Sequence, residues 1–291
     1  GRTYVAPWTF KHIKENYPGE HIEDRMSEEA ITWMNAVSED KPFFMNYWMF
    51  SVHGPWNAKQ ELIEKYEGEI DPASEQKSAT YAAMVHSLDD AVGTLLDEIN
   101  RKGIADNTVI IFTSDNGGFY KATSNAPLRA NKGAYYEGGI RVPLIIKWPG
   151  LSKPGRVIHE PVITNDLYPT CLAAAGLSMI PHQHIDGENL TPLLHETETL
   201  LRNSLFWHFP HYNKHPSSHP SSVIRKGHWK LIESFDPETV ELYNLAEDLG
   251  ETCNLANDEA KRRDSLLGEL EAWRQTVGAE RMVPNPNFES E

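Results

Sequence analysis

The sequence predicts an α/β protein, with a mixed sheet flanked by helices and a smaller C-terminal antiparallel sheet against which one helix packs. Three observations carry that expectation. Two short runs rich in β-branched and aromatic residues, Phe43 to Phe50 and Val109 to Phe112, are too brief for free-standing helices and read as strands buried on both faces. Between them, from about Gln76 to Lys102, an amphipathic pattern sets Tyr81, Met84, Val85, Leu88, Val92, Leu95, Leu96 and Ile99 on one side of a long helix. Its delivery into the second run makes a crossover of the βαβ type. Finally, the composition shifts at Leu205, and the chain closes on an amphipathic stretch from Asp258 to Thr276 with Leu266, Leu267, Leu270 and Trp273 inward. The expected division is a main α/β domain over 1–200 and an α+β subdomain over 201–291.

Taken in order, Gly1 to Glu20 shows no helical or strand period and reads as an irregular arm. Ser27, followed by Glu28 and Glu29, predicts an N-cap, and Ala30, Ile31, Met34 and Val37 give the helix an apolar face that Lys41-Pro42 ends. A short helix is expected at Glu61 to Tyr66, and Gly103 closes the long one. Inside the long helix, His86 and the Asp89-Asp90 pair fit solvated or locally bonded positions better than a second metal site. Val142 to Lys147 and Val157 to Ile163 read as strands separated by Pro/Gly turns, and Thr164 or Asp166 caps a helix over Leu167 to Ala175 that Gly176 ends. In the C-terminal region, Val223 to Ile232 and Val240 to Tyr243 read as an antiparallel pair around a turn at Asp236-Pro237.

Composition narrows the function classes. Of 291 residues 40% are hydrophobic, which is ordinary for a globular chain, while a net charge of −15 argues against a nucleic-acid-binding surface. The most apolar run is far shorter than the ~20 residues a helix needs to cross a bilayer, so no membrane span is expected. Gly1 to Glu15 carries no signal-peptide pattern, which leaves export open. Cys171 and Cys253 are expected to be buried free thiols in apolar helical contexts.

Chemistry concentrates at two strand ends. After Phe112 comes Thr113-Ser114-Asp115-Asn116-Gly117-Gly118, where an acid and an amide stand side by side at the edge where open α/β sheets bind ligands. Such oxygens suit a hard cation; taken alone, the motif reads first as an Asx-capped Asn-Gly turn. Likewise Ser51-Val52-His53-Gly54-Pro55-Trp56 follows the first run, and His53 is either a structural histidine bonding a loop carbonyl or a functional group on the same rim.

The stretch that follows Asp115 carries a specific resemblance. S-D-N-G-G, then L-R-x-x-K-G-x-x-Y-E-G-G-x-R-V-P from Leu128 to Pro143, resembles the second signature block of the sulfatases, of the arylsulfatase A-like type within the alkaline phosphatase superfamily. The flanking F-F-M-N-Y-W-M-F-S-V-H-G-P-W segment and the D-G-E-N-L-T-P-L-L segment at Asp186 to Leu194 extend the likeness over nearly the whole chain. The resemblance implies an alkaline-phosphatase-like fold and hydrolysis of a sulfuric ester. It also implies that Asp115 and Asn116 are two of the ligands of a catalytic Ca²⁺, or Mg²⁺, that Lys132 contacts the sulfate and the ester oxygen, and that His53 is the general acid. On so acidic a chain the positive potential that attracts a sulfate must be local, from the metal, Lys132, and Arg129 or Arg141.

Sulfatases make their formylglycine from Cys or Ser in a C/S-x-P/A-x-R motif, and neither Cys171-Leu172-Ala173 nor Cys253-Asn254-Leu255 matches it. The early Asp-Asp pair of the metal site is also absent. By the resemblance, then, the chain corresponds to roughly the C-terminal three-fifths of a sulfatase, is inactive alone, and needs the missing N-terminal segment of the same protein to complete its site. The family setting points to a periplasmic or extracellular location. The aromatic stretch Phe206 to Tyr212 and the Pro/Ser/His tract that follows it to Ser222 read as a loop, and the prolines argue against zinc at His208, His211, His215 and His219. His208, His211 and Arg225 are instead expected to bind substrate, a sulfated glycan or an aryl sulfate, with His215 and His219 on a surface loop. Two alternatives stand beside this reading: a phosphodiesterase or phosphonate hydrolase of the same superfamily, and a non-catalytic sugar-binding fragment.

Overall fold

A computed structural model of the chain describes residues 3–10, 13, 15–38, 40–195, 199–283 and 285. It resolves into two compact units, Gly1–Thr108 with Lys121–Ser124, and Val109–Tyr120 with Asn125–Glu291.

The first unit is helical. Helix α1 (Ile22–Ala36) and helix α2 (Gln60–Glu67) pack on the long helix α3 (Ala79–Arg101). The start of α1 lies earlier than the sequence suggests. His21, not Ser27, caps it, by accepting the Glu23 amide on Nδ1 at 3.3 Å, and Ser27 is buried within the helix with its hydroxyl turned back to the Asp24 carbonyl. The arm before it is not irregular throughout. Val5 bridges His21, the Ile22 amide donates to the Tyr4 carbonyl at 2.8 Å, and Tyr4, Ala6 and Trp8 enter the core with Ile22, Ala83 and Met84. Along α3 the deepest line is made of small residues, Ala79, Ala83, Ser87 and Ala91 with Met84, while Val85 is exposed; small side chains let neighbouring helices approach closely. His86 is locally bonded to the Tyr66 hydroxyl at 3.0 Å. Phe43 to Phe50 runs without a ladder partner among the described residues, and its alternate side chains Phe44 and Trp48 are 72% and 77% exposed, so it is not the doubly buried strand expected.

The second unit opens with strand β1 (Ile110–Thr113), which pairs antiparallel with strand β2 (Leu144–Lys147) in the register Ile111↔Ile146. Helix α4 (Glu137–Ile140) is a single turn between them. Val157 to Ile163 forms no strand among the described residues. Helix α5 (Leu167–Ala174) follows, then the single turn α6 (Thr191–Leu194). Asp166, fully buried before α5, gathers Arg202 and the amides of Ile163 and Glu188.

The C-terminal part holds more strand than the sequence suggests. Strands β3 (Ser204–Phe209), β4 (Ser221–Lys226), β5 (Trp229–Phe235) and β6 (Glu238–Asn244) form one antiparallel sheet in that order. The run from Val223 to Ile232 is thus two strands folded at Gly227, and the aromatic stretch expected in a loop is edge strand β3. Strand alternation divides the side chains between two faces. Ile224, Leu231 and Leu242 meet helix α7 (Ala260–Val277) through Leu266 and Leu270. Val223, Ile232 and Tyr243 meet Ala134 and Tyr136 from the loop before α4. Both cysteines are free, and Cys253 is exposed in the loop before α7, so the expectation of a buried helical thiol fails there.

Candidate active site

The loop after β1 is knitted to the segment ending in α4 by backbone hydrogen bonds. Gly117 donates to the Gly139 carbonyl at 2.9 Å, Lys132 to the Gly118 carbonyl at 3.0 Å, and Gly138 to the Arg129 carbonyl at 2.8 Å. Asn125 braces both sides, accepting the Gly118 amide and donating to the Gly118 and Ala130 carbonyls. The approach is so close that a methyl group on Gly117 would lie 1.8 Å from the Gly138 oxygen, which is why a glycine stands there. Lys132 is thereby fixed on the same loop system as Asp115 and Asn116.

Around this contact the side chains divide into engaged and available groups. Asp115 is exposed and its carboxylate has no hydrogen bond or ion pair among the described residues. Asn116 donates its amide to the Gly117 carbonyl at 3.0 Å, and its side-chain oxygen accepts no hydrogen bond among the described residues. Lys132 is half-buried, with its ammonium likewise unpaired among the described residues. The two arginines proposed to share its role are engaged elsewhere. Arg129 lies 3.9 Å over the Tyr136 ring and donates to the Tyr243 hydroxyl and the Glu251 carbonyl, and Arg141 faces Glu137 at 3.5 Å.

Beneath the loop lies a charged core that sequence reasoning missed. Lys230 on β5, wholly buried, reaches Glu137 at 3.0 Å and Glu251 at 2.8 Å, and Glu251 also accepts the Glu137 amide at 2.6 Å. Burial pushes the Glu251 carboxyl above its ordinary range, against the pull of Lys230. Arg225 on β4 stands 3.8 Å from Glu137, and burial holds its guanidinium below the ordinary value. One cluster of opposite charges thus fastens the signature loop to the sheet.

The expected substrate residues do not gather. His208 lies on the face of the sheet that carries α7, with Nδ1 at 2.6 Å from the Ser222 hydroxyl and Nε2 at 2.6 Å from the Glu280 carbonyl; both ring nitrogens are occupied. Arg225 lies on the opposite face, and His211 is exposed against the Phe209 ring. His215, expected on a surface loop, instead covers Gly133, whose φ of +92° leaves the imidazole within 2.5 Å of where a Cβ would sit. It also meets the Phe119 ring edge-on at 5.7 Å, and its Nδ1 is buried without a partner among the described residues. The local signal for this placement was the glycine after Lys132, which leaves room for a ring.

His53 belongs to the first unit. Its Nδ1–H donates to the Gly54 carbonyl at 2.8 Å, as a structural histidine would, and this bond fixes the tautomer and directs Nε2 outward on an exposed ring. The turn is anchored by the Ser51 amide on the buried Glu23 carboxylate at 2.5 Å.

Asp115 and Asn116 offer two oxygens suited to a hard cation, which takes six to eight. Among the described residues no three His, Cys, Asp or Glu side chains assemble into a ligand set. The donor chemistry therefore fits part of a Ca²⁺ or Mg²⁺ site.

The chain is similar to known proteins along most of its length. A model of the Sulfatase family matches residues 2–177, and one described as N-sulphoglucosamine sulphohydrolase, C-terminal, matches 130–275. A Formosa agariphila protein named Sulfatase is 37% identical over 92% of this chain and 52% of its own length. Human Arylsulfatase A is 31% identical over 81% of this chain and 48% of its own. The chain thus spans about half the length of these curated relatives. The crystal structure of Ps i-CgsB in complex with k-i-k-neocarrahexaose superposes with a TM-score of 0.77 at 29% identity, covering 93% of this chain and 58% of that one. The fold is the alkaline-phosphatase-like α/β architecture expected from the sequence.

Proposed function

Because the chain belongs to the sulfatase family, we propose that it forms part of an enzyme that hydrolyses sulfuric esters of carbohydrates. The observation that carries this reading is the hydrogen bond from the Lys132 amide to Gly118, which ties an unpaired cation to the loop bearing two available oxygen donors. The carbohydrate class is supported by the oligosaccharide held by Ps i-CgsB.

In this reading Asp115 and Asn116 hold a divalent cation, completed by acidic ligands from a preceding segment of the same protein. Bound there, Ca²⁺ supplies positive charge that offsets the sulfate's. A formylglycine in that segment supplies the nucleophile. Lys132 contacts the sulfate and the ester oxygen, where its charge counts most as negative charge develops. His53, as the imidazolium with Nδ1–H held on the Gly54 carbonyl, gives its Nε2 proton to the departing alcohol oxygen. His208 is left out of the substrate set, since both its nitrogens are engaged; His211 and Arg225 keep that role only through the loop face and its rim. The family setting favours a periplasmic or extracellular protein.

The test is sulfate release by the full-length protein from sulfated oligosaccharides, with paired phosphate mono- and diesters as controls. Lys132→Ala and Asp115→Asn are each expected to lower kcat/KM by about 10²-fold or more, as loss of one charge-stabilising group does. Phosphodiester turnover exceeding sulfate turnover would overturn the assignment, as would full activity in either variant.

A further inference from the structure

A small cleft in the second unit lies beside the signature loop. Its volume is about 30 Å³, and its walls include Tyr135, Ser217, His219, Ser234, Thr239 and Glu241. Most of the lining residues carry a hydroxyl, set among apolar surface. Ser234 is 8% exposed and its hydroxyl has no partner, and the Tyr135 hydroxyl has none among the described residues. A buried hydroxyl without a partner is costly and asks for a ligand or water. Burial raises the Tyr135 phenol to about 12, so it is a protonated donor at neutral pH. Glu241 accepts from both Tyr136 and Tyr243 on Oε2, at 2.7 and 2.9 Å, which leaves Oε1 to accept from whatever fills the cleft.

The cleft is tied to the candidate site in two ways. Tyr135 is three residues from Lys132, so their Cα atoms are at most about 11 Å apart. Moreover, the segment that supplies Ser217 and His219 also supplies His215, which covers Gly133, and Asn213, which donates to the Gly133 carbonyl at 3.4 Å.

The chemistry selects the occupant. A group that both donates to a carboxylate and accepts from two hydroxyls is water or an alcohol, and of the two only an alcohol arrives on a substrate. The volume holds about two waters, or one hydroxymethyl group, and excludes a whole ring. A sulfate there would face the Glu241 charge on an already acidic chain. We infer that this cleft receives an unsulfated hydroxyl-bearing arm of the substrate sugar, a hydroxymethyl group by size, and rejects the same arm when it is sulfated. The inference rests on the carbohydrate sulfatase reading above.

The experiment uses the full-length protein and ring-sulfated galactose and glucosamine probes with a free hydroxymethyl group, each paired with its counterpart carrying a second sulfate on that arm. Sulfate release from the ring position is measured, with p-nitrophenyl sulfate as the reference substrate. Ser234→Ala is expected to keep or raise Tm, since it removes an unpartnered buried hydroxyl, yet to lower the ratio of sugar to aryl kcat/KM about fivefold. Glu241→Gln keeps an oxygen for the two tyrosines and removes the charge; it is expected to narrow the preference for the unsulfated arm about tenfold. If the wild type prefers the arm-sulfated probes, or if sugars are turned over but neither variant changes these ratios, the cleft assignment fails while the sulfatase reading stands. If the wild type releases sulfate from the aryl ester but from none of the sugars, the carbohydrate reading itself fails and this inference with it.

Discussion

Replacing Lys230 by methionine tests how the signature loop is held. The substitution keeps the length of the side chain and removes a charge that is wholly buried between Glu137 and Glu251, at 3.0 and 2.8 Å. Removing one partner of a buried pair strands the other, at a cost of about 3–5 kcal/mol. Here two carboxylates are stranded, but Arg141 at 3.5 Å and Arg225 at 3.8 Å still face Glu137, so about 3 kcal/mol is the expected loss. For a unit of this size that corresponds to a fall in Tm of roughly 6–12 °C. The loss must also depend on pH. The Glu251 carboxyl is already raised in the folded protein by burial, and without Lys230 it rises further. An acid whose folded pKa exceeds its unfolded value binds more protons when folded, so stability falls as pH rises from the unfolded value through the folded one. Urea denaturation of wild type and Lys230→Met at about pH 7.5 and about pH 4.5 should therefore show a large difference at the first and a small one at the second. Adding Glu137→Gln and Glu251→Gln to Lys230→Met should recover part of the loss at the higher pH. A loss below about 1 kcal/mol at pH ~7.5, or an equal loss at both pH values, would refute the reasoning.

Two other perturbations follow from the same structure. Gly117→Ala drives a methyl group to 1.8 Å from the Gly138 oxygen and must part the two backbone segments; we expect a loss of about 3 kcal/mol by denaturant titration and weakened divalent-cation binding in the full-length protein, and an alanine variant of wild-type stability would show that the contact is not built as described. His21, which caps α1 from a buried position, has its pKa lowered by burial. Its unfolded state therefore takes up protons first, and stability is lost as pH falls below 6.5 toward the folded value. His21→Asn retains a capping side chain and should flatten that dependence between about pH 7.5 and about pH 5.5, which denaturation midpoints at the two values would reveal.

Local order in this protein was legible from local signals. Gly103 stops α3, the Ile110 to Thr113 run forms a strand, and Gly176 ends α5, because β-branching and positive φ act over a few neighbouring residues. The signature order from Asp115 to Arg141 likewise marked the loop system as one structural stretch, since a backbone contact as close as that of Gly117 on Gly138 demands glycines at fixed places. What the sequence could not decide was which groups would be left free. Arg129, Arg141 and Lys132 are equally cationic on paper, yet only strand pairing and burial bring Tyr243 and Glu137 to the first two and leave Lys132 unpaired among the described residues. His208 and Arg225 looked like members of one binding set until the register of β3 on β4 put them on opposite faces of the sheet. His215, which looked the least placed of the histidines, came to cover the glycine beside Lys132. Side chains along a strand alternate with a period of two, so a single step in register decides whether a group meets α7 or the signature loop, and that step is set by partners distant in sequence.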